Sequence, residues 1–159
     1  MSNIGVAFKI LDTGETPPPG YRKSSRHMIY SVNMDFTRKA IWVKDGHRTT
    51  DPESSIYAGV VSRESIRIII THSSLNGVLV MVADVHNAYL PAPISEKHYI
   101  ICGPEFGIEN IGKKALIKRS LYGGKFAGRD LCHHLRSYMK FLGFESSCAD
   151  PDVWIRESL

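Results

Sequence analysis

One run of eight residues constrains this chain more than any other feature: Val78-Leu79-Val80-Met81-Val82-Ala83-Asp84-Val85. It is almost continuously apolar and rich in β-branched side chains. A segment of that kind reads as a strand buried on both faces, because alternation disappears when neither face meets water. A strand of that kind belongs in the middle of a sheet with cover on both sides. Its single polar residue, Asp84, sits near its end. A carboxylate there is costly unless it is hydrogen-bonded, paired or bound to a metal. The plainer reading is a cap on the short Val85–Leu90 segment that follows, and that reading comes first on spacing alone.

The rest of the chain is long enough to supply such a sheet. With 159 residues it is expected to form one domain, able to bury a core without a disulfide or metal staple. Apolar residues at 43% and charged residues at 23% argue against disorder. No apolar run approaches the roughly 18 residues of a membrane span. Met1–Gly5 shows no basic region followed by an apolar stretch, so no secretory signal is expected. Cys102, Cys132 and Cys148 are odd in number and widely spaced, which fits reduced thiols in an intracellular protein.

Local patterning places the other elements. Thr16-Pro17-Pro18-Pro19-Gly20 breaks any regular structure. Ala40–Val43 reads as strand, bounded by Asp45-Gly46 as a hairpin signal, and His47–Ser54 as polar loop. Ser62 caps a predicted helix that starts at Arg63, carries Ile66, Ile69 and Ile70 on one face, and closes at Asn76-Gly77. His98–Cys102 and Ala115–Lys118 read as short strands. A second helix is predicted over 129–142, with Leu131, Leu135, Tyr138, Met139 and Leu142 on a shared face and Gly143-Phe144 as its stop. Val153–Ile155 begins a strand after the Asp150-Pro151-Asp152 turn. Helices and strands in blocks give an α+β class.

Charge is uneven. Residues 20–50 net +5, residues 111–140 net +7, and the remainder nets −8, within an overall +4. Two basic stretches around an acidic middle suit a nucleic-acid enzyme, with cations on phosphates and carboxylates on metal. Two solvated faces explain the same numbers, and charge alone favours that. Cys132, His133, His134 and Cys148 do not make a zinc site by spacing, since neighbours on a helix point about 100° apart. Tyr122-Gly123-Gly124-Lys125 lacks the Walker spacing, and no Gly-x-Ser-x-Gly elbow occurs.

Several segments, taken in order, resemble one family. They are Phe36-Thr37-Arg38-Lys39-Ala40, Ser65-Ile66-Arg67-Ile68, Ala83-Asp84-Val85-His86-Asn87-Ala88-Tyr89-Leu90, Ser120-Leu121-Tyr122-Gly123, Leu142-Gly143-Phe144 and Ala149-Asp150-Pro151. From about Met34 onward the chain resembles the reverse transcriptase (RNA-directed DNA polymerase) of Ty/copia-type retrotransposons. The resemblance implies the right-handed polymerase architecture of fingers and palm, with an N-terminal arm over 1–28 and a partial reverse transcriptase domain over 29–159. It implies that Asp84 is the first catalytic aspartate and binds Mg²⁺, with the Val85 carbonyl touching one metal. Tyr89 matches the aromatic residue under the incoming sugar, or is a core aromatic. Arg38, Lys39 and Lys44 match the fingers motif that holds the triphosphate, or form a solvated basic strand edge, and Tyr122 and Gly123 fall in a segment that positions the nucleotide. Lys125 and Arg129 are implied contacts to the nucleic-acid backbone. The implied partners are an RNA/DNA template-primer, a deoxynucleoside triphosphate and the remaining polyprotein segments, with no membrane. The implied location is cytoplasmic, in a virus-like particle, or nuclear.

Departures from the family pattern matter. Ile41 stands where many relatives have arginine, Phe126 where they have glutamine, and Gly128 where they have proline. The family's second catalytic motif, an aromatic-x-Asp-Asp hairpin, does not occur. A two-metal site needs carboxylates from both motifs. The expectation is therefore a truncated copy that is inactive alone, with a non-catalytic nucleic-acid binder as the alternative. An unfinished sheet is also expected to leave an open edge and an uncovered apolar face, and so to favour self-association.

Overall fold

The computed structural model describes residues 4–48 and 55–157. Most of the predicted His47–Ser54 loop lies outside the described residues, as do Met1–Asn3. The class is α+β. Among the described residues the elements run α1 (Ile4–Ala7), β1 (Phe8–Ile10), β2 (Arg22–Lys23), β3 (Arg26–Val32), β4 (Arg38–Lys44), α2 (Arg63–Leu75), β5 (His98–Ile101), β6 (Lys114–Ile117), α3 (Ala127–Phe141), β7 (Glu145–Ser146) and β8 (Trp154–Ile155).

Among the described residues three small sheets form. The largest has the strand order β1-β6-β5-β2, while β3–β4 and β7–β8 are separate antiparallel pairs. The core sits on the large sheet. Ala7, Phe8, Ile100, Cys102, Phe106, Ala115, Ile117 and Leu121 are buried together, with Trp42, Leu90 and Ile94 packed against them. Phe8 meets Trp42 and Phe106 edge-on, each with ring centroids 5.1 Å apart, the geometry aromatic quadrupoles favour. The first residues of the chain thus contribute an edge strand and part of the core.

Both predicted helices form, α2 from its expected cap and α3 from Ala127, two residues before its expected start. The Ser62 side chain accepts from the Ser65 N–H at 3.0 Å. Asp150 reaches the same helix end, accepting from the Ser62 N–H at 2.9 Å and the Ser65 hydroxyl at 2.7 Å. Those bonds hold its carboxyl down to a pKa of about 2, the Ser65 hydroxyl being the largest cause. At the end of α3, Gly143 takes φ +80°. The Phe144 N–H then donates to the Met139 carbonyl at 2.9 Å, the bond that closes a helix with glycine at its stop.

The central expectation is overturned. Residues 78–85 form no strand, and Leu79, Met81 and Val82 are 92, 93 and 95% exposed. No described strand lies beside the run, so its backbone has no ladder to join. The apolar helix faces share this exposure: Ile66, Ile69 and Ile70 of α2 and Leu135, Tyr138 and Leu142 near α3 all meet solvent. The Asp45-Gly46 signal also misplaces its turn. The β3–β4 hairpin closes earlier, at Asn33–Thr37, and Gly46–Arg48 is a 3-10 turn.

Candidate functional site

The β3–β4 hairpin, the segment after the exposed run and the turn after β6 enclose one groove of about 900 Å³. Register fixes what the hairpin offers. Arg38 pairs with Val32 and Lys39 with Ser31 at the turn end of the ladder, so both cations stand exposed at its tip. The opposite wall comes from a tight turn. Asn87 adopts φ +52°, a conformation Asn tolerates better than most residues. The Leu90 N–H then returns to the Asn87 carbonyl at 2.9 Å. That turn brings Asp84, Val85 and Tyr89 to the groove, which Tyr122 completes. Tyr89 and Tyr122 touch edge to face, with centroids 4.7 Å apart.

Six of the ten residues singled out from the sequence therefore line one cavity: Arg38, Lys39, Asp84, Val85, Tyr89 and Tyr122. Gly123 lies behind the wall. It takes φ +77°, and a β-carbon there would collide with the Lys44 carbonyl, so glycine lets this turn meet β4. Lys125 and Arg129 lie outside the groove lining. Arg129 borders a separate hollow of about 350 Å³ with Ser95, Asp130 and His133. Its guanidinium donates to the Ser55 carbonyl and the Ser95 hydroxyl, both at 3.1 Å, and stacks on Phe126.

Asp84 does not cap the turn that follows it. Its carboxylate is exposed, and no hydrogen bond to it forms among the described residues. The groove's other carboxylate, Glu105, is engaged by Arg26 at 2.6 Å. Among the described residues no group of three metal-ligating side chains occurs. One free carboxylate and a neighbouring carbonyl do not fit a two-metal centre, which needs acidic ligands bridging both ions. They leave room for at most one hard cation whose other ligands come from water and phosphate. Trp42 also lines the groove, and its buried indole N–H has no partner among the described residues.

Part of the basic charge is engaged in ion pairs within the protein. Lys44 pairs with Glu96, Arg26 with Glu105 and Arg136 with Asp152. One polar residue escaped sequence reasoning, and Lys44, expected with Arg38 and Lys39 at the triphosphate, is instead buried and paired at the base of the hairpin. The residue missed is Asp130, buried in the first turn of α3, which accepts from Ser120 Oγ at 3.0 Å and the Ser95 N–H at 3.1 Å. The side-chain hydrogen-bond partners of both residues lie 10 to 54 residues away, so no local pattern marks them. No described helix is long and apolar enough to cross a membrane.

No curated protein and no solved structure matches this chain. A family model does, over residues 21–158, and its description is reverse transcriptase (RNA-dependent DNA polymerase). That span takes in both walls of the groove and all six residues that converge on it. The chain belongs to the reverse transcriptase family.

Proposed function

We propose that the groove is the nucleotide and primer-terminus site of a copia-type reverse transcriptase, with the β3–β4 hairpin as fingers and the segment bearing Asp84 as palm. The observation that carries this reading is convergence. Two exposed cations, one unpartnered carboxylate and an aromatic pair line the same cavity from segments far apart in sequence. Arg38 and Lys39 would meet the triphosphate, where negative charge grows during phosphoryl transfer. Asp84 and the Val85 carbonyl would hold Mg²⁺, which when bound supplies charge neutralisation at the transferring phosphate. Tyr89, held edge-on by Tyr122, presents an aromatic surface to the sugar. Template and primer approach along the same groove, and Lys125 and Arg129 extend the basic surface beyond it as backbone contacts.

With a single free carboxylate in the groove among the described residues, the reading is that this chain by itself binds but does not polymerise. Primer extension on an RNA template with Mg²⁺ or Mn²⁺ is the test. No product is expected from the chain alone. Extension that Asp84→Ala abolishes would overturn the claim.

A further inference from the structure

The hairpin that carries Arg38 and Lys39 is tied to the large sheet by a buried charged cluster at its base. Lys44 ends β4, and its side chain is fully buried. Its Nζ lies 2.5 Å from Glu96 Oε2 and 2.8 Å from His98 Nδ1. Glu96 Oε1 is 3.7 Å from the same ring nitrogen. Glu96 precedes β5 and His98 begins it, so the cluster joins two sheets that share no ladder. The Lys44 N–H donates to the Tyr122 carbonyl at 2.8 Å, linking the same residue to the groove's far wall.

We infer that Lys44, Glu96 and His98 form an ionic latch that seats the β3–β4 hairpin on the sheet and so sets Arg38 and Lys39 over the groove. The three are positioning residues, and their assignment rests on the reading of the groove given above. The chemistry makes the latch conditional on proton occupancy. An ammonium can only donate, so His98 Nδ1 must accept and the ring is neutral. A proton on Nδ1 would face the Lys44 cation directly and break that bond. The charged groups around the ring are Lys44 from β4, Glu96 from the preceding loop and Arg22 from β2, the residue opposite His98 in the ladder. Burial is the main force holding His98 below its ordinary range. Lys44 adds to it and Glu96 opposes. The latch is therefore closed above pH 6.5 and opens as pH falls below that value.

The hairpin carries its own reporter, since Trp42 lies on β4 and Trp154 is the chain's other tryptophan. In a Trp154→Phe background, Trp42 emission is followed from pH 7.5 down to the onset of acid unfolding, alongside binding of dATP with Mg²⁺. A reversible red shift with its midpoint below pH 6.5 is expected, with affinity for dATP falling at least tenfold across the same transition. His98→Asn keeps an acceptor for Lys44 but cannot take up the proton, so its emission and affinity should both be flat with pH. Should single variants fail to fold, the paired Lys44→Met/Glu96→Met chain removes both charges at once and should fold with a pH-independent signal. Titration of His98→Asn or the paired variant like the parent overturns the latch. So does a parent whose Trp42 emission ignores pH. If the parent fails to bind dATP at pH 7.5 yet shows the Trp42 transition that His98→Asn abolishes, the groove reading falls and the latch stands as a fold device.

Discussion

Replacing Asp130 with alanine should be among the most damaging single changes in this chain. The carboxylate is buried and joins three segments: the Ser95 loop, the Ser120 turn and the first turn of α3. Truncation leaves the Ser120 hydroxyl and the Ser95 N–H without their acceptor. A buried donor left in that state costs about 1–3 kcal/mol, and a carboxylate at a helix N-terminus contributes about 0.3–1 kcal/mol more. Ser95 is exposed, so water replaces its partner and the loss falls mainly on the buried Ser120 hydroxyl. The expected loss is about 3 kcal/mol, a large share of the roughly 5–15 kcal/mol that holds a domain together. Urea unfolding followed by circular dichroism measures it, as a lower midpoint at unchanged slope. Asp130→Asn keeps an acceptor and should recover about half of the loss. A change below about 1 kcal/mol for Asp130→Ala would refute the reasoning, because it would mean that water already satisfies both donors.

Three further outcomes follow from the same geometry. Val82→Lys should change stability by less than about 0.5 kcal/mol, the range for exposed positions; a loss of several kcal/mol in urea would restore the buried central strand. Gly123→Ala should cost about 1–3 kcal/mol, since it forces a non-glycine residue to positive φ against the Lys44 carbonyl, and a neutral result would show that β4 and the turn can separate freely. Asp150 is depressed in the folded chain to about 2. Its contribution is therefore present above the unfolded value near pH 3.9 and is lost as pH falls towards 2. Asp150→Asn should flatten that part of the acid-unfolding profile, and an unchanged profile would remove Asp150 from the account.

Signals confined to a few residues were legible in the sequence. Ser62 as a cap, Gly143 as a stop and the strands around Ile100 and Leu116 each follow from neighbours within one turn or one ladder step. The run from Val78 to Val85 was not, because apolar β-branched residues give a capacity for strand and a strand needs a partner. The same limit hid Phe8–Ile10, three residues too few to show a period, which pair with β6 across more than a hundred residues. Lys44 illustrates the third kind of failure. A lysine in a basic stretch reads as a phosphate contact or a solvated edge until Glu96 and His98 are found beside it. The groove was legible only through the order of its motifs, since Arg38, Asp84 and Tyr122 share no local pattern. Convergence in space is what the fold added.

Amide hydrogen exchange tests the central claim most directly, because it reports where substrates sit. The chain would be compared alone and with an RNA template, a DNA primer ending in a dideoxynucleotide, and the matching deoxynucleoside triphosphate with Mg²⁺. Protection confined to residues 38–40, 84–90 and 120–123 is the predicted result, and Arg38→Ala/Lys39→Ala should weaken it. Protection that bypasses these three segments, or no protection at saturating substrate, would contradict the assignment of the groove.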